Sequence, residues 1–99
     1  VGGKGNKEMP YADLVSDIAP ETGITSTSSA DDLCKVGLAY SEGLGVDADM
    51  VQAHKWFNLA VLKGSEAAKE YRAQMAEMLS SEEIKEALKS ARAWLQLAN

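Results

Sequence analysis

The residues with the widest chemical reach are one histidine, His54, and one cysteine, Cys34. A thiol or a serine hydroxyl beside an imidazole can start nucleophilic catalysis. The pair then also needs a group that orients the base and donors that hold the oxyanion. Nothing in the spacing supplies that constellation, so the simpler roles are expected. His54 reads as a partly exposed helix residue, and Cys34 as a small packing or groove residue. One cysteine and one histidine make no zinc site without carboxylates or a second chain, and a lone cysteine excludes an internal disulfide.

Two other patterns invite chemistry. Gly43-Leu44-Gly45-Val46 is glycine-rich, but it lacks the Lys and Ser/Thr of a phosphate loop and follows a helical pattern rather than a strand. Glu82, Glu83 and Glu86 alternate with Lys85 and Lys89, the signature of a solvated helix face with i, i+3 pairs rather than of a metal or acid–base site. Residues 31 to 50 set Asp31, Asp32, Glu42, Asp47 and Asp49 against Lys35. Helix capping and attraction of a basic partner account for this imbalance equally well. No catalytic residue, metal or cofactor is assigned.

The elements behind these residues are helical. The chain has 99 residues, 45% of them apolar and mostly Ala, Leu, Val and Met, with two prolines. That mixture suits close-packed helices better than sheets. A net charge of −5, with the basic residues scattered singly, argues against a nucleic-acid partner. No run is long and apolar enough to span a membrane. The chain begins at Val1 rather than Met, which reads as a processed or excised piece.

Residues 1 to 30 read as a flexible arm. Tyr11, Leu14, Val15 and Ile18, between Pro10 and Pro20, have the spacing of a short amphipathic helix, followed by the linker-like Ile24-Thr25-Ser26-Thr27-Ser28-Ser29. From Asp31 the periodicity predicts four helices. The first carries Leu33, Val36, Leu38, Ala39 and Tyr40 and ends at Gly43 and Gly45. The second begins at Asp49, with Gln52 completing a capping box, and stops at Gly64. Ser65 caps a third, and Ser80-Ser81-Glu82-Glu83 opens a fourth. The second helix is apolar nearly all round and is expected to be buried between the first and the third.

Val36-Gly37, Tyr40, Gly43-x-Gly45-Val46, Asp49, Ala53, Trp56-Phe57, Ala60 and Gly64, at these spacings, resemble a Sel-one-like repeat, a relative of the tetratricopeptide repeat. The match covers about a third of the chain. Residues 31–66 would be a full repeat and 67–99 a degenerate capping repeat, in which a Ser80-Ser81 turn replaces the glycine loop and the Trp comes late, at Trp94. Gly37, with Ala53 and Ala60 facing it, would allow a close helix approach. Trp56, able to bury roughly 150–250 Å², would fill the wedge between hairpins.

The resemblance implies an all-α, right-handed α-α superhelix fragment of two antiparallel helix hairpins. It also implies a scaffold or adaptor that binds a protein or peptide on its concave face. Carried over from tetratricopeptide repeats, that face holds Cys34, Leu38, Ser41 and Glu42, joined one repeat later by Glu70, Gln74, Glu77 and Met78. Its carboxylates imply a basic partner. The alternative is a self-associating module, such as a homodimer. Some cysteine-rich members of the family are associated with penicillin binding or hydrolysis, but they carry paired cysteines in each repeat, and this chain has one cysteine. The family occurs in bacteria and in eukaryotic secretory-pathway adaptors, so the resemblance fixes no compartment.

Overall fold

Ser29, Asp49, Ser65 and Ser80 each turn a side-chain oxygen onto a backbone N–H two or three residues further along, and a helix starts after each. Such caps satisfy N–H groups that have no partner within the helix. In the computed structural model, which describes residues 18–97, they open α1 (Ala30–Glu42), α2 (Met50–Leu62), α3 (Glu66–Met78) and α4 (Ser81–Leu97). No strand occurs among the described residues. The arm helix expected from Pro10 onward lies, except for Ile18, outside them.

The Ser80 capping box is complete: Ser80 N–H donates to Glu83 Oε1 at 2.8 Å and Glu83 N–H donates to Ser80 Oγ at 3.1 Å. The box expected at Asp49 is only half made. The Asp49 carboxylate accepts from both Val51 and Gln52, while the Gln52 side-chain oxygen is buried without a partner. Gly43 closes α1 at φ 71°, a left-handed conformation that suits a residue without Cβ.

α2 is the hub. It packs against α1, α3 and α4, and none of its residues from Met50 to Val61 is fully exposed. The sequence predicts cover on two flanks, and α4 supplies a third. Phe57 stacks on Tyr71 of α3 with ring centroids 5.2 Å apart. On another flank Trp56 meets Trp94 of α4 edge to face at 5.5 Å. On α4, Ala87 and Ala91 are buried, and Ala91 shares the core cluster with the buried residues of α2.

The last two helices depart from a closed hairpin. Leu79, between them, is extended (φ −108°, ψ 151°), and α4 leaves α3 to lie along α2. Its apolar stripe is covered by the hub rather than by its sequence neighbour.

The stretch expected as a linker is tied to the helices. Tyr40 Oη donates to Glu21 Oε1 at 2.6 Å, Lys63 Nζ donates to the Ser26 carbonyl, and Ile24 packs on the core. Thr25 and Ser28 hydrogen-bond to each other within a turn, and Ser29 caps α1.

Candidate functional site

Of the residues expected to bind a partner, Glu42 of α1 and Glu70, Gln74, Glu77 and Met78 of α3 are exposed. On α1, the buried side chains Leu33, Val36, Gly37 and Tyr40 set the inward face. At 100° per residue, Ser41 falls about 90° from the centre of that face, Leu38 about 150° and Glu42 about 170°. Leu38 and Ser41 are half-buried, with Ser41 Oγ donating to the Leu38 carbonyl at 3.1 Å, and Glu42 is exposed. On α3, Ala68 and Met75 are buried, and Glu70, Gln74, Glu77 and Met78 are exposed. The three polar ones lie on the far side of the helix from Ala68.

Cys34 does not join them. It is 7% exposed and belongs to the core, the packing role that the sequence also allowed it. It lies one turn before Leu38 on the flank of α1 that meets the start of α3. There burial pushes its thiol pKa up, the neighbouring Ser65 hydroxyl pulls it down, and Asp31 pushes it up again. A raised thiol pKa leaves little thiolate at neutral pH. α1 and α3 touch only slightly, so the two halves of the expected face sit on separate supports, both anchored to α2.

The face is acidic. Among the described residues the ion pairs are Lys69–Glu66 at 3.4 Å and Lys85–Glu82 at 3.7 Å, both exposed and both between residues three apart. Glu42, Glu70 and Glu77 belong to neither pair. The Glu82–Lys85 pair fits the solvated face expected of α4, and exposed pairs of this kind add little stability.

No protein-family model, curated protein or solved structure matches the chain.

His54 differs from expectation. Its ring is 4% exposed rather than partly in water, and its Nδ1 is buried without a hydrogen-bond partner. Burial lowers its pKa, Arg72 lowers it further, and a backbone hydrogen bond opposes them. Arg72 reaches α2 from α3, with Nη1 donating to Asn58 Oδ1 one helical turn beyond His54. Cys34 and His54 make no hydrogen bond to each other. No group of three or more His, Cys, Asp and Glu among the described residues could hold a metal ion, and no helix among them is long and apolar enough to cross a membrane.

Sequence reasoning missed the Arg72–Asn58 bond, the burial of His54 and the Tyr40–Glu21 bond. The last had a weak signal, since a tyrosine on a buried face needs a partner for its hydroxyl. Burial pushes the Tyr40 pKa up, helped by the Glu21 hydrogen bond and by the charges of Glu21 and Asp49.

Proposed function

We propose that this chain is a protein–protein interaction module with no catalytic chemistry of its own. It would bind a basic peptide or protein segment on the outer faces of α1 and α3. The observation that carries this reading is the exposure of Glu42, Glu70 and Glu77 outside the ion pairs, on two helices already anchored to α2. A partner bringing Lys or Arg would meet carboxylates that need no repacking of the core. Leu38, Ser41 and Gln74 complete the face, and Cys34 is left out of it.

The reading includes a Sel-one-like repeat built as a short superhelical fragment. The dense motif from Val36 to Gly64 supports it, and Gly37, Ala53, Trp56 and Ala60 are all buried, as packing positions of a repeat need to be. The test is capture of partners by the wild-type chain and by a Glu70→Lys/Glu77→Lys variant. A partner that binds the first, is lost from the second and elutes with salt supports the site. Equal retention by both overturns it.

Self-association is the second reading, favoured by large apolar side chains in water: Leu62, Met78 and Leu97, the last 86% exposed. Sedimentation velocity separates the two, because a stable dimer at micromolar concentration favours the second.

A further inference from the structure

We propose that His54 is an acid-sensitive latch that seats α3 on α2 at neutral pH and loosens it when protonated. His54 is 4% exposed on α2, close enough to Arg72 of α3 to feel its charge, and its Nδ1 makes no side-chain hydrogen bond. A protonated imidazole has two donors, so the buried ring would carry a charge that Arg72 repels and that only a backbone contact within its own residue offsets. An unpaired buried donor is costly, and a charged one more so.

The groups around the ring make this worse rather than better. From α3 comes Arg72, held to α2 through Asn58, and its positive charge bears on His54. From α1, the titratable groups on the buried face are Cys34, buried and with a raised pKa, and Tyr40, bonded to Glu21; both stay neutral in mild acid. From α4, the buried residues are Ala87 and Ala91. No carboxylate bears on the ring to offset the charge. The contact between α2 and α3 also holds the Phe57–Tyr71 stack, next in sequence to Asn58 and Arg72, so the stack and the Arg72–Asn58 hydrogen bond would loosen together.

The sign follows from proton uptake. The folded-state pKa lies below the ordinary 6.5 of an unfolded chain. Above that pH neither state binds the proton and the α2–α3 contact is at full strength. As pH falls below it, the unfolded or opened chain takes up a proton that the closed chain refuses. Stability is then lost until the folded pKa is reached. α3 carries Glu70, Gln74 and Glu77, so the latch would also control the proposed partner face. That consequence rests on the binding reading; the latch itself does not.

His54 is the chain's one histidine, so its ring resonances are unambiguous in the intact protein. Titration by nuclear magnetic resonance should give a midpoint below 6.5. Between pH 7.5 and 5.5, amide hydrogen exchange in α3, corrected for its intrinsic pH dependence, should show the opening constant rising. The limit for uptake of one proton is about tenfold per pH unit. The His54→Gln variant, neutral throughout, should lose that dependence. A midpoint at or above 6.5 overturns the proposal, as does the same pH dependence in the variant. The wild-type titration decides the matter alone if the variant does not fold.

Discussion

The α1–α2 hairpin and the α3, α4 pair contribute to one core with side chains of different size. The four largest fully buried side chains, Trp56, Phe57, Leu33 and Leu59, all belong to the hairpin. The later helices bury Ala68, Met75, Ala87 and Ala91. Volume therefore comes from the first half, and close approach from the second. Alanines let α3 and α4 lie near the hub, while Tyr71 and Trp94 cover its edges, partly buried. Truncation should harm the first half most, because cavities left by large buried side chains collapse only partly.

The two tryptophans test this most strongly. Trp56→Ala should cost about 3–5 kcal/mol in urea unfolding, the range for buried aromatic truncation. Trp94→Ala should cost clearly less, since its ring is only partly buried. Equal losses would remove the distinction between the two halves.

Gly37 comes next. A Cβ at this position would lie 2.5 Å from the Phe57 ring. The sequence suggested a close approach to Ala53 and Ala60, but the neighbour it must clear is an aromatic face. Gly37→Val should destabilise by about 1–3 kcal/mol through overpacking, read as a lower melting temperature. Trimming the ring with Phe57→Leu should recover part of that loss, so a double-mutant cycle should report coupling between the two sites. Additive losses would mean that the ring moves aside freely.

The helix boundaries and the inward stripes were legible because they are local. Asp49, Ser65, Ser80 and Gly43 each act within a few residues of themselves, and the 3.6-residue period marks one face of each helix. Which helix covers which face is not local. The largely apolar α2 announced burial on two sides, but nothing near Ser80 announced that α4 would cover a third flank. The burial of His54, and the choice between packing and groove for Cys34, were illegible for the same reason. Each is placed by a residue far along the chain, Ser65 beside one and Arg72 beside the other. For the candidate face, the exposure of Glu42, Glu70, Gln74 and Glu77 followed from their offset from the apolar stripe. Cys34 packs inside because the flank of α1 that would line a groove is closed at its N-terminal end by the start of α3.

The turn into α4 gives a smaller effect. Ser80→Ala removes the oxygen that caps Glu83 N–H and should cost about 1 kcal/mol, within the usual 0.5–2 range for such caps. Because α4 is held by alanines and one aromatic edge, this loss should appear as increased quenching of Trp94 fluorescence in a Trp56→Phe background. If quenching does not change, α4 is held by its packing on α2 rather than by its cap.

The smallest effect belongs to the outer face. Glu70 and Glu77 are exposed, outside the ion pairs and opposite the buried stripe of α3. Reversing both to Lys replaces one good helix former with another. It leaves Ala68 and Met75 in place and lowers the net negative charge of the chain. The expected change in unfolding free energy is within about 0.5 kcal/mol of zero, as for surface substitutions away from special features. The same variant should lose a basic partner, so binding and stability separate on one pair of residues. A large fall in stability would place these carboxylates in the fold's own support, as Glu21 is for Tyr40, and the α3 half of the candidate face would then be structural.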